Sequence, residues 1–257
     1  HKVKQKQTFR RKLFNTVYFS MSYFLPDYIM NRDKLYFRDD CMLEKMGEFF
    51  DKRLNIYDDH QLNYIDSARE FYKFTAECLP SDPGCRVLDL GCGTGLELEW
   101  YFKINPKAKV TGIDLAPGML NRVREKFSDK DITLILGSYF DIPFGNGQYD
   151  AAVSVESLHH YTFEEKRALY KKLRDSLKPC GYFILTDYFS SSDEEETFHM
   201  NELLRLKKEQ GIEDDTFYHY DIPLTVEHET QCLKEAGFST VEIMSRWGAT
   251  CTVKAVR

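Results

Sequence analysis

Three glycines at alternate positions, Gly91, Gly93 and Gly95, follow a short apolar run in the stretch VLDLGCGTGLELEW, residues 87–100. Glycine reaches backbone conformations closed to other residues and leaves peptide groups bare to a close neighbour. Such a turn suits a molecule held against main chain. The next apolar run ends in Asp114, 23 positions beyond Gly91, where a carboxylate can accept hydrogen bonds from both hydroxyls of a ribose. A phosphate-cradling loop would need Lys and Ser or Thr directly after its glycines, and Leu96-Glu97 stand there instead. Asp89, Glu97 and Glu99 flank the loop with negative charge, which repels pyrophosphate and tolerates a sulfonium or an ammonium. These residues favour a cationic nucleoside; the competing reading is a single turn glycine with two chance neighbours.

A second group that could do chemistry is Glu156-Ser157-Leu158-His159-His160, directly after the fourth apolar run. An imidazole titrates near neutrality and could take a proton from a hydroxyl or amine. Alternation along the segment favours His160 as that base. In the competing reading the pair hydrogen-bonds within its loop and caps the next helix. No metal is expected, because adjacent histidines need a carboxylate or cysteine in register to converge on one ion.

The elements that must position these groups alternate along the chain. Strands are expected at 85–90, 109–114, 132–137, 150–156 and 182–189, separated by helices over 96–104, from Pro117, and over 163–177 behind a Thr162–Glu165 capping box. A Ser192–Glu195 box opens a further helix through about 210, another follows Thr225, and 239–247 with 249–256 read as a closing hairpin. Strand-helix alternation implies a mostly parallel sheet covered on both faces. Ligands sit at the carboxyl ends of such strands. Upstream, helices are expected over 12–30, 41–54 and 61–79, and the breaker cluster Pro80–Gly84 divides an N-terminal helical extension or lid, 1–80, from the main domain, 81–257. An insert at about 190–224 forms a second lid element. Met46 would suit the start of a compact domain, leaving 1–45 as an accessory segment.

Composition narrows the class. The 257 residues carry a formal charge of -6, which disfavours non-specific nucleic-acid binding, since that needs a basic surface. Seven scattered cysteines without a CxxC pair suit reduced thiols in a cytoplasm rather than a disulfide frame. Six Lys or Arg fall within the first twelve residues, before the moderately apolar LFNTVYFSMSYFL. Asn15, Thr16, Ser20 and Ser22 interrupt that run and it is too short to span a bilayer, so no stable membrane insertion is expected.

VLDLGCGTG, VTGIDLAPGML and GSYFDIPFGNGQYDAAVSVESLHHY together resemble the successive motifs of class I S-adenosylmethionine-dependent methyltransferases. The resemblance spans residues 85–190. It implies a Rossmann-like α/β sandwich with a seven-stranded, mostly parallel sheet whose last strand is antiparallel, and S-adenosyl-L-methionine as cofactor. Carried over by position, the backbone of Gly91, Cys92, Gly93 and Gly95 lines the methionine moiety and Asp89 holds the local hydrogen-bond network. Asp114 binds the ribose, Leu115 and Met119 lie near the adenine, and Val155 offers its carbonyl to the methionine ammonium. Where the family usually has an acid after the third strand, this chain has Ser138-Tyr139, whose backbone and ring take that place. Tyr57-Asp58 resembles a pair that closes over the cofactor, which puts Tyr57 in the site.

In-line methyl transfer draws mostly on proximity and alignment, and needs a base only for a protonated acceptor. No Asn/Asp-Pro-Pro-aromatic motif follows the fourth strand, and Pro179-Cys180 sits in a turn, so DNA methylation is disfavoured. Phe217-Tyr218-His219-Tyr220 in the insert suggests a planar or apolar small-molecule acceptor, against the alternative of surface aromatic packing. The competing functions are a carboxy-S-adenosylmethionine synthase, a tRNA-modifying enzyme, and a non-catalytic binder. For the first of these, the added carboxylate calls for a cation, and Arg246 is the candidate.

Overall fold

The computed structural model describes residues 42–257, so the expected helix over 12–30 and the basic N-terminal segment lie outside them. Seven strands, β1 (Arg86–Leu90), β2 (Lys109–Asp114), β3 (Asp131–Leu136), β4 (Tyr149–Val155), β5 (Leu177–Tyr188), β6 (Thr240–Trp247) and β7 (Thr250–Val256), form one sheet. Its order is β3-β2-β1-β4-β5-β7-β6. β1 pairs in parallel with β2 and β4, β3 with β2, and β5 with β4, while β7 runs antiparallel to both neighbours. The order reverses beside β1, and the crevice outside its carboxyl end is where such sheets bind ligands.

Alternation along β1 divides the core. Val87 joins an apolar cluster with Phe71, Leu98, Tyr101 and Val123 on one face. Leu88 and Leu90 join Leu169, Leu173 and Leu233 on the other. The first face is covered by α2 (Ala68–Glu77), α3 (Leu96–Ile104) and α4 (Pro117–Lys126), the second by α5 (Phe163–Ser176) and α7 (Val226–Glu235). The Thr162–Glu165 capping box forms, with the Thr162 hydroxyl accepting from the Glu165 N–H and Glu165 reaching back. At α6 (Asp193–Glu209) Ser192 likewise accepts from the Glu195 N–H, but the Glu195 carboxylate turns to the N–H and hydroxyl of Ser191.

Two boundaries differ from expectation. The helices at 41–54 and 61–79 are instead α1 (Met46–Tyr64) and α2, joined at Ser67, whose φ is 58°. Asn55, Asp58 and Asp59 are weak helix formers. The buried stripe Met46, Phe49, Tyr57, His60 and Gln61 nevertheless continues at helical spacing, and tertiary packing overrides local propensity. The fifth strand begins at Leu177, opposite Tyr149, and takes the Lys178–Gly181 turn inside it as an irregularity before Tyr182 pairs with Ala151.

Candidate functional site

A cavity lies beyond the carboxyl ends of β1, β2 and β4. One end is formed by Gly91, Gly93, Asp114, Leu115 and Met119, with Tyr57 reaching in from α1; the other by Met46, Phe50, Tyr139, His160 and Tyr161, with Glu156 and Ser157 from the turn after β4.

The glycine end is shaped by backbone. Gly91 has φ +71°, and a Cβ placed there would overlap the Ser157 hydroxyl. At Gly93, φ +48°, such a Cβ would point at the Tyr57 phenol 3.6 Å away. Asp114 is fixed by two main-chain donors, Gly93 N–H to Oδ2 and Ala116 N–H to Oδ1, each at 2.8 Å. Burial raises its pKa to about 6 even though those N–H groups favour the carboxylate. Beneath the loop the buried carboxyls of Asp89 and Glu97 hydrogen-bond to each other, and burial and the Glu97 charge push Asp89 well above the ordinary range. Among the described residues Asp89 Oδ2 and Glu97 Oε1 are buried without a hydrogen-bond partner.

α1 is fastened over this end. The Thr94 hydroxyl donates to Asp58 at 2.5 Å, Lys126 bridges Asp58 at 2.7 Å and Glu99 at 2.8 Å, and Asp51 accepts from the Gly118 N–H at 2.9 Å. The start of α1 is tied to the 211–225 segment: Met46 N–H donates to the Phe217 carbonyl and His219 N–H to the Glu44 carbonyl, each at 2.9 Å.

The other end is shaped by side chains. His159 and His160 form a single 3₁₀ turn with Leu158, whose N–H donates to Asp187 Oδ2 at 2.9 Å. His159 Nδ1 lies 2.5 Å from Asp187 Oδ1, and its Nε2 3.6 Å from Asp221 Oδ1. Burial opposes its charge, but Asp187, Asp221 and Glu156 prevail and raise its pKa to about 9. His160 is the opposite case. Burial and the neighbouring His159 charge lower its pKa, while Asp221 only partly offsets them. Its Nδ1 lies 3.2 Å from the Tyr220 carbonyl and 3.1 Å from Asp221 Oδ1. Both oxygens can only accept, which assigns the hydrogen of the neutral ring to Nδ1 and leaves Nε2 as the basic nitrogen. His219, held near 3 by burial and by His160, stacks on Phe49 with ring centroids 3.4 Å apart.

Of the sequence-derived residues, Tyr57, Gly91, Gly93, Asp114, Leu115, Met119, Tyr139 and His160 all line the cavity. Asp89, Cys92, Gly95, Ser138 and Val155 do not. Cys92 is buried toward Gly112, Gly95 meets the Phe127 ring, and the Ser138 hydroxyl accepts from the Phe140 N–H at 3.1 Å. Val155 is buried in β4, and its successor Glu156 faces the cavity. Phe50 had no signal beyond apolar character, while Met46, Ser157 and Tyr161 stood in stretches singled out for other reasons. Asp187 and Asp221 supply the carboxylates that the histidine pair lacked in sequence; with Glu156, His159 and His160 they form two groups whose ligand atoms lie within 4.8 Å of one another. Arg246 is exposed on β6 and absent from the cavity lining. Among the described residues no helix is long and apolar enough to cross a membrane.

Comparison with known proteins agrees with this geometry. A family profile described as "Methyltransferase domain" matches residues 87–181. The carboxy-S-adenosyl-L-methionine synthase of Wolinella succinogenes is 32% identical over 84% of this chain and 94% of its own. A demethylmenaquinone methyltransferase from Symbiobacterium thermophilum is 34% identical over 53% of this chain and 56% of its own. Among solved structures, an S-adenosylmethionine-dependent methyltransferase from Mesorhizobium loti superposes with TM-score 0.52 at 20% identity, over 72% of this chain and 96% of that one. Human N-acetylserotonin methyltransferase, solved with S-adenosylmethionine, gives 0.57 at 19% over 81% and 56%. The chain belongs to the class I S-adenosylmethionine-dependent methyltransferases, and S-adenosylmethionine is its cofactor. The site fits that molecule: bare glycines leave room, a main-chain-fixed carboxylate suits a ribose, and buried acids suit a cation.

Proposed function

We propose that the protein transfers the methyl group of S-adenosylmethionine to a small-molecule acceptor whose proton is taken by His160. When bound, the cofactor supplies a methyl carbon activated by its sulfonium. The main chain of Gly91, Cys92 and Gly93 bears its methionine end, and Asp114 accepts from the ribose hydroxyls. Leu115 and Met119 flank the base, and Tyr57 covers it from α1. Asp89 holds the hydrogen-bond network beneath the loop with Glu97; Gly95 and Val155 shape the loop and strand end from behind. Ser138 orders the turn that presents Tyr139. The observation that carries the reading is the assignment of His160, neutral and hydrogen-bonded through Nδ1 to the Tyr220 carbonyl, so that Nε2 can accept a proton. α1 and the 211–225 segment serve as the lid of the cavity, excluding water. The six cysteines among the described residues are all free, which supports a reducing, cytoplasmic setting.

The test is release of S-adenosylhomocysteine on addition of a metabolite extract but not of RNA. His160→Gln should lower turnover by about 10²–10⁴, the usual share of a general base, with cofactor affinity unchanged. Turnover that survives the substitution would remove His160 from the chemistry.

A second reading is favoured by the Wolinella relative, whose name states that it makes carboxy-S-adenosyl-L-methionine. Against it, among the described residues no Lys or Arg lines the cavity to meet a carboxylate. Mass spectrometry separates the two, because the second reading yields a nucleoside heavier by a carboxyl group and no S-adenosylhomocysteine.

A further inference from the structure

Glu156 has a conformation and a position that its neighbours do not require. Its φ is +48°, in the left-handed region, where a non-glycine residue carries a conformational cost that tends to be kept at functional sites. It lines the cavity, and its one side-chain hydrogen bond is a long 3.4 Å contact from the Thr250 hydroxyl. Asp114, the other carboxyl in the lining, is held by main-chain N–H groups at the glycine end, which leaves Glu156 as the carboxyl of the histidine end. Among the described residues the rings of Phe50, Tyr57, Tyr139 and Tyr161 share that lining and no Lys or Arg does. The charged His159 stands within 4.8 Å of Glu156, but Asp187 lies within the same distance and Asp221 faces the same imidazole, so the aromatic faces and the surplus of carboxyls attract positive charge and reject anions.

We propose that Glu156 is the specificity residue for the acceptor and that the acceptor is a planar amine, its ammonium on Glu156 and its reacting group at His160. This rests on the methyl-transfer reading. It also sets the chain apart from its carboxy-S-adenosylmethionine synthase relative, whose named product carries an added carboxyl group.

Matched probes test it. With saturating S-adenosylhomocysteine, tyramine, 4-ethylphenol and 4-hydroxyphenylacetate are titrated calorimetrically into the full chain at pH 8.5, above the value near 8 to which burial and Asp187 raise Glu156. Tyramine should bind at least roughly tenfold tighter than the carboxylate, as one charge-assisted hydrogen bond allows. Glu156→Gln should erase that preference while leaving 4-ethylphenol and S-adenosylhomocysteine within about twofold, the scale of a spectator change. Glu156→Asp, which tolerates the left-handed backbone better, should keep part of it and guards against a folding defect in the first variant. Equal or tighter binding of the carboxylate, no binding of tyramine, or a Glu156→Gln effect confined to S-adenosylhomocysteine would each overturn the assignment. Failure of S-adenosylhomocysteine itself to bind would instead strike the methyl-transfer reading.

Discussion

The glycine end of the cavity is compact in sequence: Gly91, Gly93, Asp114, Leu115 and Met119 lie on two consecutive strand-to-helix turns, and main-chain N–H groups fix the one carboxylate. The histidine end is assembled from five separated segments. α1 gives Met46 and Phe50, the turn after β3 gives Tyr139, the turn after β4 gives Glu156 to Tyr161, Asp187 stands next to the last residue of β5, and the 211–225 segment brings Tyr220 and Asp221. A ligand shared by a whole family can be held by backbone, whereas a ligand particular to one chain is met by side chains drawn from wherever the fold places them. The two ends should therefore fail differently when altered.

After His160 itself, the largest effect is expected at Asp221, which touches both histidines. Asp221→Asn removes the charge that offsets the loss of His160 basicity and pairs with His159. Turnover should fall by roughly 10²–10³, within the share of acid–base catalysis, while S-adenosylhomocysteine titrates as in the native chain. A matching loss of cofactor affinity would show that the two ends are not separable. Gly91→Ala should do the reverse. Its Cβ meets the Ser157 hydroxyl at φ +71°, and a left-handed alanine alone costs about 1–2 kcal/mol, so cofactor affinity should fall about a hundredfold. Pairing it with Ser157→Gly should restore part of the loss. Full restoration would show that space rather than backbone conformation sets the requirement.

How much of this could be read in sequence follows from the same contrast. The strand–helix alternation, the closing hairpin, the Thr162–Glu165 box and the Gly91–Asp114 spacing depend on local periodicity and local spacing. Asp187 is the counter-example: it sits in an apolar strand motif, LTDYF, and nothing near it shows that 28 residues separate it from His159. Asp221 lies 60 or more positions from either histidine, in a polar loop. Gly95 marks a limit of a different kind, since it fits the motif but meets Phe127 rather than the cavity. A glycine is equally legible whether it makes room for a ligand or for a neighbouring helix.

The charged histidine separates the ends by pH. His159 is raised to about 9 from a usual value near 6.5. A raised histidine stabilises the fold fully below its unfolded value, and that contribution is lost as pH rises through the folded one. Chemical-denaturation stability should therefore decline between pH 6.5 and 9. The loss should be about 3 kcal/mol, because each pH unit between the unfolded and folded values is worth roughly 1.4 kcal/mol. Glu156, raised to about 8 by burial and by Asp187, adds to the slope in the lower part of this window. His159→Gln should flatten most of it, and an unchanged slope would place the titrating group elsewhere. Asp114 behaves at lower pH. It is protonated below about 6, so affinity for S-adenosylhomocysteine should weaken as pH falls through that value.

The smallest expected effect tests whether α1 joins the two ends. Thr94 reaches from the glycine loop to Asp58 on α1 at 2.5 Å. The start of the same helix is tied through Glu44 and Met46 to the segment carrying Tyr220 and Asp221. Thr94→Val removes one hydrogen bond and keeps the shape; a bond to a charged partner is worth about 1.5–3 kcal/mol, and the partly exposed Lys126–Asp58 pair, still in place, keeps the loss toward the lower figure. Affinity for S-adenosylhomocysteine should weaken about tenfold. If α1 only covers the cofactor, the maximal turnover rate stays as it was. If it holds both ends as one rigid clamp, that rate falls as well, because loosening α1 shifts the Tyr220 carbonyl that orients His160. Unaltered affinity would mean that the helix rests on the site without closing it.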